Sequence, residues 1–113
     1  MARLNLDAWG QTHQITFEIH KYAENDNLAI QMMCWDEEWP EPWSMLTVNL
    51  SKKCKPNCAF IDINNNGGAI VDWLIANNLG KETERIGFSG FCVYPEFEFD
   101  MDEVQKYVEE YKG

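Results

Sequence analysis

Residues 15–34 read ITFEIHKYAENDNLAIQMMC, and this stretch decides the fold. Ile15, Phe17 and Ile19 alternate with Thr16, Glu18 and His20, the period-two pattern of a strand with one buried face. Leu28, Ile30, Met32 and Cys34 repeat the pattern. Between the two runs, Ala23-Glu24-Asn25-Asp26-Asn27 has the composition of a turn. The pair predicts an antiparallel hairpin.

Outward from this hairpin, Arg3 to Trp9 predicts an earlier strand, with Gly10-Gln11-Thr12 turning the chain. Downstream, Leu46, Val48 and Leu50 alternate, and Ala59 to Ile63 gives a short fifth run. The period then changes. Ile70, Trp73 and Leu74 fall at helical spacing. Asn66-Gly67-Gly68 opens this helix and Asn77-Asn78-Leu79-Gly80 closes it, with Asn78 or Gly80 as the left-handed residue. Lys81 to Gly90 reads as a loop. Phe91 to Phe99 returns to strand, with Val93, Phe97 and Phe99 on one face. Val104, Tyr107, Val108 and Tyr111 predict a second helix, opened by Asp100 and Glu103 as an aspartate form of the capping box. The order β-β-β-β-β-α-β-α predicts one α+β domain over residues 1–113. Its antiparallel sheet has five to six strands, with two helices packed on one face.

The chain has 113 residues, 45% of them hydrophobic and 13% aromatic, enough to fold around a core without disulfides. No apolar run approaches the roughly 18 residues of a membrane span. The opening Met-Ala-Arg-Leu-Asn-Leu-Asp has no apolar signal region. A cytoplasmic location is therefore expected, with Cys34, Cys54, Cys58 and Cys92 kept as free thiols. The net charge is −10, from 19 acidic and 9 basic residues. A surface this negative repels nucleic acid and anionic membranes, so the expected partner is a basic protein. Lys52, Lys53 and Lys55 form the only basic patch.

Three motifs that resemble chemistry fail on inspection. Cys54-Lys55-Pro56-Asn57-Cys58 is one close pair with a wider spacing than the paired thiolates of structural zinc. Asp62-Ile63-Asn64-Asn65-Asn66-Gly67 copies the first half of a calcium loop, but position twelve is Trp73 where a bidentate glutamate is required. The asparagines suit turn and cap chemistry instead. Gly87-Phe88-Ser89-Gly90-Phe91 lacks the last glycine of a nucleophile elbow, and His13 and His20 both precede the serine. No catalytic residue, metal or cofactor is expected.

Two acidic groups remain. Asp36-Glu37-Glu38-Trp39-Pro40-Glu41-Pro42-Trp43 is expected as an exposed loop, since its prolines keep it out of a central strand. Tryptophan beside acid suits partner binding, which makes Asp36, Glu37, Glu38, Trp39, Glu41 and Trp43 candidates. The bland alternative is that the indoles cover the core edge and the carboxylates solvate the loop. The second group is Glu96, Glu98 and Asp100, with Asp102, Glu103, Glu109 and Glu110 behind them. Alternate residues of a strand recur at roughly 6.8 Å, about twice the ~3.4 Å between charges along one DNA strand. Exposed in a row, Glu96 and Glu98 would imitate DNA phosphates. Against this, Asp100, Asp102 and Glu103 already serve the start of the last helix.

Leu46-Thr-Val-Asn-Leu50, Phe60-Ile-Asp62, Asn64-Asn65, Trp73-Leu74 and Asn78-Leu79-Gly80 resemble an uncharacterised family of small bacterial and mobile-element proteins. Thr83-x-Arg85 and Ser89-Gly90-Phe91-x-x-Tyr94-Pro95 carry the resemblance further. The family is a domain of unknown function of the 4313 series, and the likeness spans about residues 45–100. It departs at Ser51–Cys58 and Gly67–Gly68. Its phage setting implies an inhibitor of a basic, nucleic-acid-binding host-defence protein, of the anti-CRISPR kind. It also implies a shared surface of Asn64, Asn65, Arg85, Ser89, Phe91 and Tyr94. One alternative is a small-molecule or anion-binding domain using Asn64–Gly68 and Arg85–Tyr94. Another is an accessory scaffold without separable activity. Monomer and homodimer are both compatible with a small sheet that has open edges.

Overall fold

The predicted hairpin forms in the computed structural model, which describes residues 2–108. β2 (Gln11–Lys21) and β3 (Leu28–Cys34) pair antiparallel, with Phe17 opposite Met32 and Ile19 opposite Ile30. β1 (Leu4–Ala8) pairs with the first half of β2. Trp9 and Gly10 make the turn between them, both at positive φ (51° and 74°), the geometry that matches the strand twist in a two-residue hairpin. β4 (Glu41–Met45) pairs with β3 at the opposite edge, so the sheet order is β1-β2-β3-β4. Residues 36–40 form the expected loop. Beyond it the chain is an edge strand, where Pro42 opposite Met33 costs no ladder bond to a further neighbour.

The remaining strands build a second four-stranded antiparallel sheet rather than extending the first. β5 (Thr47–Val48), β6 (Cys58–Ile61), β7 (Gly80–Ser89) and β8 (Cys92–Phe99) lie in the order β5-β6-β8-β7. The fold is therefore α+β, as expected, but with two sheets instead of one of five or six strands. Leu46 stands at the junction: its N–H donates to Ile30 O, and its carbonyl accepts from Asp62 N. The segment 81–90, expected as a loop, is the edge strand β7. A register shift between Glu82 and Ile86, with Glu84 at φ 70°, breaks its apolar alternation.

Among the described residues, three short helices replace the expected two. α1 (Ile63–Asn66) is one turn, capped by the Asp62 carboxylate accepting from Asn65 N at 3.1 Å. Gly67 at φ 83° interrupts it, and α2 (Ala69–Ala76) follows with Ile70, Val71 and Leu74 buried. Asn78 takes the left-handed conformation after α2 (φ 61°). α3 (Met101–Gln105) starts at Asp100, which caps Glu103 N at 3.3 Å. It is shorter than the Val104–Tyr111 pattern predicts. β1 covers only the first half of the 11-residue β2 and leaves the Phe17 N–H open. The chain after α3 fills that gap: Phe17 N donates to Tyr107 O at 2.9 Å, and Val108 bridges Phe17 in parallel. Satisfying a buried amide outweighs another helical turn. Tyr111 lies outside the described residues.

Phe17, Met32, Leu46, Ile61, Leu74 and Phe97 pack between the sheets and α2 as the main core. The second sheet is covered on its other face as well. There Cys54, Cys58, Phe60 and Tyr94 form a smaller core, closed over by residues 49–57. Asn27 anchors that cover, donating from Nδ2 to Lys52 O at 2.9 Å and accepting from Cys54 N at 2.9 Å. All four cysteines are free thiols. Among the described residues no helix is long and apolar enough to cross a membrane.

Candidate functional site

The β1–β2 turn and the β3–β4 loop meet at one end of the first sheet, and tryptophan gathers there. Trp9 is 88% exposed and Trp39 65% exposed. Trp43 is half-buried, with its ring 5.4 Å from Trp9 and 4.5 Å from the His13 imidazole. Asp7, Asp36, Glu37, Glu38 and Glu41 are all exposed around them. Beside this end lies an open cleft of about 780 Å³, lined by Trp9 and Trp43 from the sheet and by Asn65, Asn66, Gly67 and Trp73 from the helical segment. The sequence singled out Trp39, Trp43 and the four carboxylates of residues 36–41, but missed Trp9 and His13. Trp9 sits at a turn, where pattern reading treats the residue as punctuation. His13 shares the odd parity of Ile15 and Phe17, a signal that places it on the inner face.

Beneath this surface, His13 Nδ1 meets Asp36 Oδ2 at 2.5 Å, and the imidazole is buried while Asp36 is not. The hydrogen bond from His13 holds the Asp36 carboxyl below the usual carboxylate range. Cys34 joins them: one donor atom from each of His13, Cys34 and Asp36 lies within 4.8 Å of the others. Burial and the Asp36 carboxylate push the Cys34 thiol above its ordinary value. A nucleophilic cysteine needs the opposite, a lowered pKa with the imidazole next to sulfur. Here the carboxylate takes the Nδ1 bond and also contacts the thiol.

The second acidic group does not form the exposed row expected of it. Glu96 is 1% exposed and does not belong to a surface row. Tyr94, Glu96 and Glu98 share a face of β8, but that face is covered by the smaller core, with Glu96 directly opposite Phe60. Glu96 accepts a hydrogen bond from Thr83 Oγ1 at 2.8 Å, and Arg85 Nε approaches to 3.9 Å. Burial, then the nearby Glu96 carboxylate, pushes the Cys54 thiol up to about 11. Glu98 is exposed and pairs with Lys81 at 3.7 Å. Asp100 is occupied as a helix cap. Glu109 and Glu110 lie outside the described residues. The spacing that would imitate DNA phosphates is therefore absent from β8.

The residues implied by the resemblance do not form one surface. Tyr94 is buried and Arg85 half-buried, turned toward Glu96. Ser89 and Phe91 are exposed at the β7–β8 turn, where Ile86, Phe88 and Val93 are exposed too. Asn64 and Asn65 are exposed on α1, and Asn65 Nδ2 donates to the Asp62 carboxylate at 2.8 Å. The anion reading loses both supports: the Asp62 carboxylate already occupies the start of α1, and Arg85 is engaged with an internal acid.

No curated protein and no solved structure matches the chain. A family model described as a domain of unknown function (DUF4313) matches residues 16–112, which takes in the second sheet, α1 to α3 and both acidic groups but leaves out β1, Trp9 and His13. On that match the chain belongs to the DUF4313 family.

Proposed function

We propose that this protein is an interaction module whose acidic, tryptophan-bearing end binds a basic protein partner. The supporting observation is the exposure of Trp9 (88%) and Trp39 (65%) at the end of the sheet that also carries exposed Asp7, Asp36, Glu37, Glu38 and Glu41. Indoles left in water are a standing source of binding energy, at about 25 cal/mol per Å² of apolar surface covered. They also accept a guanidinium or ammonium over the ring, worth about 0.5–2 kcal/mol depending on desolvation. The surrounding carboxylates steer a positive partner and fix its approach. A nucleic-acid-binding protein presents such a surface, and covering it would inhibit that protein. This reading keeps the inhibitor idea and drops the row of phosphate mimics.

Titration with an arginine-rich peptide, followed by tryptophan fluorescence, tests the proposal. Binding should weaken as salt is raised, and Trp39→Ala should weaken it at least about 30-fold, the effect of a hot-spot residue. Affinity indifferent to both salt and Trp39→Ala would remove the reading.

A further inference from the structure

We propose that His13, Cys34 and Asp36 form a binding site for a divalent transition-metal ion of the zinc class. This is independent of the partner-binding proposal. Nitrogen, thiolate and carboxylate are the three donor types that zinc takes from proteins. Their atoms lie within 4.8 Å of one another, on neighbouring strands and the loop that follows β3. Tetrahedral bonds of about 2.0–2.3 Å place donors about 3.3–3.8 Å apart. The trio therefore needs adjustment of about 1 Å, in which His13 and Asp36 part from their hydrogen bond and the thiol closes on both.

The backbone makes this set unlike a chance surface cluster. His13 and Cys34 are held on the inner face of the first sheet, with side chains that cannot swing away. Asp36 is part-exposed and gives the ion a way in. Glu41 lies directly across the β3–β4 ladder from Cys34, a further carboxylate whose charge reaches the thiol. Without metal, the groups oppose one another: His13 Nδ1 is held by Asp36, and the Asp36 carboxylate disfavours ionisation of the Cys34 thiol. A dication reverses the electrostatic conflict. Cys34 releases its proton to solvent, the shared His13–Asp36 proton leaves or moves to Nε2, and the carboxylate that opposed the thiolate becomes its co-ligand. Three protein donors leave a fourth position for water, the pattern of an open zinc site.

Cobalt(II) titration of the purified, metal-stripped protein tests this. One equivalent should produce a thiolate-to-cobalt charge-transfer band in the near ultraviolet, and Zn²⁺ should displace it. Cys34→Ser should abolish the band, while Cys54→Ser and Cys58→Ser should retain it. Asp36→Asn, a surface change that keeps an acceptor for His13, should weaken Zn²⁺ affinity at least about tenfold. It should also remove the rise in thermal midpoint that Zn²⁺ gives the unaltered protein. No band with cobalt in excess, or a band that survives Cys34→Ser in folded protein, would overturn the proposal.

Discussion

Two carboxylates on one face of β8 do opposite work. Glu96 lies inside the smaller core and accepts from Thr83; Glu98, two residues on, meets solvent and Lys81. Removing the Thr83 hydroxyl leaves a buried carboxyl oxygen without its donor, so Thr83→Val should cost about 1–3 kcal/mol. Glu98→Gln should stay within about 0.5 kcal/mol. Urea denaturation of the two variants checks the contrast, and equal effects would mean that Glu96 is not buried as described. Asp36 gives a pH test with a definite sign. Its folded pKa lies below the ordinary 3.8, so the unfolded chain takes up the proton first. The stabilisation is full above that value and is lost as pH falls through the depressed folded pKa. The midpoint of urea unfolding should therefore drop as pH falls below about 4, and Asp36→Asn should flatten part of that drop. At this scale the sequence was legible for Asp36–Trp43, because proline and charge density mark an exposed segment. It was misleading for Glu96, because period two fixes which residues share a face but not whether a second layer covers it.

The strand β7 explains why one sheet became two. Its residues are mostly exposed, and the register shift at Glu82–Ile86 removes the alternation by which β2 and β3 announce themselves. The hairpin and α2 were legible because each pairs a strong apolar period with turn or cap residues. β7 follows instead from tertiary fit. Gly87 is its one buried residue, and a Cβ there would stand 2.3 Å from Leu50 Cδ1 and 2.8 Å from Phe60 Cε1. Gly87→Ala should thus cost about 1–3 kcal/mol by overpacking the smaller core. Gly68 is the counter-case: its φ of −66° is helical and a Cβ would meet open space. Gly68→Ala should stabilise by about 0.4–1 kcal/mol through loss of unfolded-chain freedom. Thermal unfolding of both variants decides whether the two glycines differ as the packing requires. The shortened α3 has the same kind of cause, since an open amide on β2 lies far from it in sequence.

At the scale of the whole molecule, a net charge of −10 makes any basic ligand adhere to some degree. The account needs more than that: the carboxylates must act where the tryptophans are. β8 and the edge strand β7 carry exposed acids of their own in Glu82, Glu84 and Glu98, without an exposed tryptophan among their residues. Two triple variants therefore change the net charge equally at different places. One reverses Glu37, Glu38 and Glu41 to lysine; the other reverses Glu82, Glu84 and Glu98. Both are compared with the unaltered protein by calorimetric titration with the same arginine-rich peptide at moderate salt. The account predicts that the first variant loses binding at least about tenfold more than the second. Equal losses would show that net charge alone attracts the peptide and would contradict the assignment of the tryptophan end as the binding surface.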